Sequence, residues 1–565
     1  MSAQPGGTRP GEAAQAPGAA VKGGITRATW RWFDENILEL GRELRWSYLP
    51  PLMVYMAAGI SGLTAVVGTF FVKDYLSLSA AALAALGFWT GIPWALKMPI
   101  GHLVDLIWRW KAWLVYLGAA LLAASILIVV GLLENRAAME AIMPANAWYI
   151  LASILSPVGY VIQDTVADAM TVEAVPRVDH QGKPLPEAQR TLMHTTMQTL
   201  GRVAIIGGSV LVAFVSLYML AGVQALPAAQ KTIVYRNVYL AALSIPLISV
   251  LGIAVAALVR RRDRQRLMHQ GVSEAKAREL LEVREERPEP NWWILGGSLL
   301  FVVFTASVGL SDVPFSQEII FAGSFAIVTF LLARLTRELD PVARETLVGT
   351  AIVIFVFRAM PSTGPGVSWW MIDVLGFDEE FFSVLNLIGS GLTLLGLFVF
   401  RRFMAGHSIS YIVGMLTIVG AVLTLPYLGM YHGLHLWLER VSGGLVGART
   451  IAFIDTALES PLGQVAMIPM LAWIAKSAPA NLKATYFAVM ASFTNLALSL
   501  AQLGTKYMNQ VYVVTRAVKD PATGAIKTPA DYSQLGELLI AVVVVATVLP
   551  FAAIGIARLA RLRTA

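Results

Sequence analysis

Apolar residues in this chain are bunched into runs long enough to cross a bilayer, and polar residues gather between them. A spanning helix needs ~20 predominantly apolar residues. On that measure the pattern predicts helices over 48–72, 81–104, 112–133, 147–172, 191–217 and 237–259. A charged stretch over 260–291 follows. Further helices are expected over 292–310, 317–333, 346–360, 380–400, 408–430, 441–475, 484–505 and 535–557. That makes about fourteen spans, the long 441–475 stretch being one span plus extramembrane turns. Ahead of them, Trp30, Phe33, Ile37, Leu40 and Leu44 recur at helical spacing over Thr29–Trp46, with charged residues on the other face. This predicts an amphipathic helix lying on a membrane surface. The first ~25 residues, rich in Ala, Gly and Pro, lack an apolar run and read as a disordered tail rather than a signal peptide.

Composition agrees with a polytopic membrane protein. Hydrophobic residues make up 56% of the 565, against roughly 45–50% in soluble domains, and charged residues 14%, against about 25%. Mean hydropathy is +0.65. The absence of cysteine excludes thiol nucleophiles, thiolate zinc sites and cysteine-ligated clusters. No Walker-type loop, dinucleotide fingerprint, nucleophile elbow or zincin helix is present, so neither an enzyme nor a cofactor is expected.

The net charge of +7 would suggest nucleic acid in a soluble protein. Topology explains it better. With the N-terminus inside, most of the 43 Lys and Arg residues fall in cytoplasmic segments, as the positive-inside rule requires. Both termini are therefore expected in the cytoplasm, the membrane being the cell's inner (plasma) membrane, and no nucleic-acid partner is expected. Arg202, Arg358, Arg440 and Arg449 fall in or at the ends of spans.

The sequence also repeats. FVKDYLSLS (71–79) resembles WMIDVLGFD (370–378), aligning Asp74 with Asp373. DTVAD (164–168) resembles DTALE (455–459), aligning Asp164 with Asp455 and Asp168 with Glu459. Two homologous six-helix halves are a common plan of secondary transporters. The expected organisation is a tail with its amphipathic helix (1–47), an N-terminal bundle (48–260), a linker (261–291), an inserted helix pair (292–343) and a C-terminal bundle (344–565). The pair's low polar content predicts a peripheral place for it.

Ionisable groups inside spans cost ~2.5–3.5 kcal/mol on insertion scales, and so tend to face an interior. Asp164 and Asp168, four apart, share a helix face with Tyr160, and Asp455 and Glu459 repeat that geometry. Such pairs suit a shared path for substrate or proton, one member of a pair carrying the proton; the competing reading is that each acid pairs with a neighbouring arginine, such as Arg202, to lock helices together. Thr195, Gln198, Thr199 and Arg202 form a polar stripe on the fifth span, and Ser492, Asn495, Ser499 and Gln502 form one on the penultimate span. Each stripe must face protein or water, and interhelical hydrogen bonding alone would account for either. Gly87 and Gly91, and the cluster Gly443, Gly444 and Gly447, suit close helix packing. His432 and His435 have metal-compatible spacing but no carboxylate beside them, so no metal site is expected.

PWALKMPIGHLVDLIWRWK (93–111) resembles the loop motif of the major facilitator superfamily, keeping Gly101, Leu103 and Asp105, followed by Arg109 and Lys111. The glycine and basic residue usual directly after the Asp are absent. The segments DTVADAMTVE (164–173), DTALESPLGQVAMIPMLAWIAKSAP (455–479) and NLKATYFAVMASFTNLALSLAQLGTKYMNQ (481–510) are similar to the folate–biopterin transporter family within that superfamily. FVKDYLSLS and PWALK fit as well, with the proline usual after the lysine displaced to Pro99. The inserted pair and the basic tail are outside the family pattern.

The resemblance implies an all-α, major-facilitator-like transporter moving a small organic solute, pterin- or folate-like, by alternating access with proton symport. It gives Gly101, Asp105 and Arg109 a gating role. A carboxylate can accept the adjacent N–H donors of a pterin, and Arg202, Arg358 or Arg449 can match folate carboxylates. The alternative is a non-transporting membrane assembly or pigment-delivery factor on the same scaffold. Expected partners are the solute and the lipid bilayer; protein partners are unspecified.

Overall fold

The computed structural model describes residues 39–76, 78–95, 97–176, 185–281, 290, 292–309, 311, 313–338, 341–463, 465, 483–519 and 526–564. Residues Met1–Leu44 form one unit, helical at Glu39–Arg42, and Arg45–Ala565 form a second. The remainder of the amphipathic stretch expected over Thr29–Trp46 lies largely outside the described residues.

In the larger unit helices fall on the apolar runs. The first run bends rather than breaks, α1 (Leu49–Ile60) passing through a 3-10 turn at Ser61–Thr64 into α2 (Ala65–Tyr75). The second is described as α3 (Ala80–Ala95), which contains Pro93, and α4 (Lys97–Leu106). Then come α5 (Lys111–Glu134), α6 (Ala145–Ala174), α7 (Glu187–Leu220), α8 (Ala228–Ala242) and α9 (Ser244–His269). α9 continues past the apolar run into Arg260–His269, because arginines are good helix formers and suit a helix C-terminus.

The inserted pair is α10 (Trp292–Gly309) and α11 (Ser316–Leu335), and α12 (Pro341–Arg358) opens on a proline. α13 (Glu379–Val399) is capped by Asp378, whose side chain accepts from the Phe381 N–H, and has Glu379 and Glu380 in its first turn. α14 (Ile409–Tyr431) is capped by Ser408 in the same way. Within the expected 441–475 span, α15 (Ala448–Glu459) is followed by a 3-10 turn at Ser460–Leu462; 464 and 466–482 lie outside the described residues. α16 (Lys483–Val511) and α17 (Leu535–Leu559) close the chain. Among the described residues nine helices are long and apolar enough to cross a membrane.

Apolar burial gives little drive between helices in lipid, so packing and interhelical hydrogen bonds decide the arrangement. α5 and α6 pack extensively because Gly118 and Gly159 meet. A Cβ on Gly118 would lie 2.6 Å from the Gly159 carbonyl oxygen, and one on Gly159 2.7 Å from that of Gly118. Polar bonds fasten the same region. Ser125 Oγ donates to the Ala152 carbonyl at 2.7 Å, and Ser249 Oγ donates to Gln163 Oε1 at 3.0 Å. Gly159→Val is expected to destabilise the protein by about 1–3 kcal/mol, since the clash is with backbone that cannot rotate away. A wild-type melting temperature for the purified variant would refute that close crossing.

The two sequence halves meet along α3 with α16 and along α7 with α13. The inserted pair lies against this seam on one side. Gln317 Nε2 donates to the Ala85 carbonyl of α3 at 3.0 Å, and Glu318 Oε1 pairs with Lys506 Nζ of α16 at 2.8 Å. Its other side exposes Leu299, Leu300, Val302, Val303 and Phe330. A feature the periodicity does not predict is a small hairpin between α16 and α17: β1 (Val518–Lys519) pairs antiparallel with β2 (Ile526–Thr528).

Candidate functional site

Asp164 and Asp168 lie one turn apart on α6, and one cation bridges them. Lys97 Nζ, at the first residue of α4, is 2.6 Å from Asp164 Oδ2 and 2.8 Å from Asp168 Oδ2. The Tyr55 hydroxyl of α1 donates to the other oxygen of Asp168 at 2.5 Å. Three separate helices thus meet in one hydrogen-bonded ion cluster within the membrane. Such a cluster persists only because every member is paired; removing one partner strands a charge in low dielectric.

Arg202, the residue that spacing suggests as the holder of the acidic pair, is not bonded to it. It is half-buried on α7, interacts with Asp164 only through space, and has no hydrogen bond or ion pair with the described residues. The lysine takes the place expected of the arginine because α4 packs against α6, bringing Lys97 within bonding reach. On the same α7 stripe, Gln198 is exposed and donates to Thr171 Oγ1 at 3.2 Å, and Thr199 is exposed. The side chain of Thr195 lies outside the described residues.

The second-half counterpart differs. Asp455 on α15 is 2% exposed, and neither carboxylate oxygen has a hydrogen-bond partner. Tyr427 of α14 stands beside it and interacts with the carboxylate, outside strict hydrogen-bond geometry. Glu459, one turn on, is exposed. Arg358 donates from Nε to the Thr494 carbonyl at 3.2 Å, and so ties α12 to α16. Arg449 pairs with Asp378 at 3.2 Å, at the start of α13.

The α16 stripe faces α3. Asn495 Nδ2 donates to the Trp94 carbonyl at 3.4 Å. A Cβ on Gly87 would lie 2.5 Å from Gln502 Oε1, and one on Gly91 2.9 Å from Ser499 Oγ. Gly87 and Gly91 therefore admit the polar side chains of the opposite half, and the stripe lies on the seam. Gly101 sits on α4 beside Thr165, and the side chains of Asp105 and Arg109 lie outside the described residues. Among the described residues no three His, Asp or Glu side chains are grouped so as to hold a metal.

Sequence reasoning passed over a further set of contacts that joins the halves at the ends of α2, α7 and α13. Lys73 Nζ is 2.6 Å from Asp373 Oδ1, whose other oxygen accepts from the Tyr532 hydroxyl at 2.5 Å. Arg516, buried behind the hairpin, donates from Nη1 to the Val72 carbonyl at 2.6 Å and lies over the Trp369 ring. Glu379 accepts from the Tyr235 hydroxyl, and Glu380 accepts from the Gly222 N–H at 3.0 Å. Tyr532 lies in the loop ahead of α17. Burial first, and then its bond to Asp373, push its phenol well above the ordinary range. Its hydrogen bond is therefore fully present below about pH 10 and is lost only above it.

Two helical halves that meet along α3–α16 and α7–α13 make up a major-facilitator-like membrane fold. The chain belongs to the BT1 family, which it matches over residues 58–562. This is a family of transporters, not of enzymes. The folate-biopterin transporter of Synechocystis sp. is 23% identical over 472 residues, covering 83% of this chain and 75% of that one. Among solved structures, a peptide transporter POT in complex with alafosfalin superposes with a TM-score of 0.57 at 15% identity, over 92% of this chain and 95% of that one. A POT family transporter in complex with 5-aminolevulinic acid gives 0.52 at 12% identity, over 91% and 96%. At these identities the structural likeness bears on the fold alone.

Proposed function

We propose that this transporter moves a pterin- or folate-like solute by alternating access, driven by a proton gradient, across the cell's inner (plasma) membrane with both termini cytoplasmic. The observation that carries the reading is the relation to a folate-biopterin transporter over 83% of the chain. The site chemistry supports it. Arg202 has no direct bond among the described residues and lies near an acidic cluster in which Lys97 bridges both carboxylates, so its guanidinium is placed to meet a solute carboxylate. The bundles 48–260 and 344–565 are the two units that would rock about the solute, with 292–343 riding at their seam.

The test is uptake by proteoliposomes of labelled folic acid and labelled biopterin, with and without an inward proton gradient. Accumulation of either that collapses when the gradient is dissipated is the expected result. Wild-type protein that moves neither, in either direction, refutes the substrate class.

A further inference from the structure

The two acidic pairs align in sequence but are handled in opposite ways. In the first half Lys97 and Tyr55 satisfy Asp164 and Asp168. In the second half Asp455 is 2% exposed and both its oxygens lack a hydrogen-bond partner. Among the described residues nothing near it acts as Lys97 does. α13 comes so close to the turn after α15 that Thr393 Oγ1 donates to the Ser460 carbonyl at 2.9 Å, and a Cβ on Gly396 would lie 2.1 Å from the Pro461 carbonyl oxygen. That leaves no room for a long cation between α13 and this turn.

The charged and titratable groups on the packed elements are accounted for. α14 offers Tyr427. On α13, Glu379 and Glu380 are bonded to Tyr235 and Gly222 at the far end, and Asp378 pairs with Arg449. The short helix Leu434–Val441 brings His435, Glu439 and Arg440, at the end of the bundle where α15 begins. On α15 itself Glu459 is exposed one turn beyond Asp455. Among the described residues, then, no cation bonds to Asp455, and an unpaired carboxylate at that depth is costly.

We propose that Asp455 is the exchangeable-proton site of this transporter, carried as the neutral acid in this conformation, with Glu459 as its outlet. In releasing the proton, the O–H bond at Asp455 breaks and the proton passes by way of water to the Glu459 carboxylate and on to solvent. Uptake runs the same steps in reverse, so the site needs no other reactant. The Lys97 cluster, in which both acids are bonded, ties helices together. The assignment rests on the transport reading for its physiological meaning, but not for its chemistry.

Two measurements decide it. Difference infrared spectroscopy of the purified chain in lipid nanodiscs at neutral pH is expected to show a protonated-carboxyl band. That band should shift in heavy water, vanish in Asp455→Asn and persist in Asp164→Asn. Its absence from the wild type, or its survival in Asp455→Asn, overturns the assignment whether or not any solute moves. In proteoliposomes at zero membrane potential, wild type should accumulate labelled folic acid toward about tenfold per unit of pH gradient. Asp455→Asn should stop at equal concentrations while keeping wild-type counterflow, and Asp455→Glu should retain accumulation. Loss of both counterflow and accumulation in a well-folded Asp455→Asn makes the residue a solute ligand and overturns the proposal. Failure of Asp455→Asn to fold also overturns it, because an amide replaces a neutral carboxyl almost isosterically. If wild type moves no folic acid, the transport reading fails while the infrared result still stands.

Discussion

Lys97→Met is expected to be the most damaging single substitution in the membrane region. It removes the cation that, alone among the described residues, bonds to Asp164 and Asp168, at 2.6 and 2.8 Å. Two carboxylates one turn apart are then left with only the Tyr55 hydroxyl and the through-space charge of Arg202. Breaking a buried pair from one side costs ~3–5 kcal/mol, and mutual repulsion of the two acids adds to it. That approaches the whole stability of a typical domain, ~5–15 kcal/mol, so folded protein should largely be lost. The cluster's architecture supplies the control. Replacing the acids as well, as Lys97→Met with Asp164→Asn and Asp168→Asn, removes every stranded charge and should restore yield and melting temperature without restoring transport. Replacing Arg202 together with an acid should rescue nothing, since Arg202 makes no bond to the pair. A Lys97→Met protein that expresses and melts like wild type would show that the cluster holds nothing together.

Much of this was legible in the sequence, and the exceptions have physical causes. The spans, the acidic pairs and the polar stripes follow from periodicity and from the cost of charge in lipid, both local properties. The partner of the pair did not follow, although the same rule could have found it. Lys97 interrupts an apolar run as plainly as Arg202 does, but lies near the expected end of the 81–104 span, where it reads as a loop charge. The direction of the α16 stripe was open because a helix face can be read from spacing, whereas the neighbour it meets cannot. Gly87 and Gly91 held that information, as small positions that admit Gln502 and Ser499. The hairpin that carries Arg516 and Tyr532 toward the other half was missed because strands of two and three residues leave no pattern.

Breaking the contacts at the ends of α2, α7 and α13 is expected to open the protein at that end. The repeat itself builds the latch: Lys73 stands beside Asp74 in FVKDYLSLS and pairs with Asp373 of the aligned WMIDVLGFD. A contact between a motif and its own copy forms where two related halves meet, and it must part if they rock apart at that end. Arg516 adds a second bond across the same seam, to the Val72 carbonyl. Losing a partly buried ion pair with one such bond should shift the balance by about 2 kcal/mol, roughly 30-fold in population. The chain's lack of cysteine makes this measurable. Ser383→Cys places one near-isosteric thiol on α13, a turn below Glu379 and fully buried in this conformation. A membrane-impermeant maleimide should label it slowly in the otherwise wild-type protein, and roughly 30-fold faster once Lys73→Gln and Arg516→Ala are added. Because Tyr532 still donates to Asp373 in that variant, Asp373→Asn should add further to the rate. Equal labelling in all these backgrounds would mean that the halves do not separate here, and that the ion pair only fastens loops.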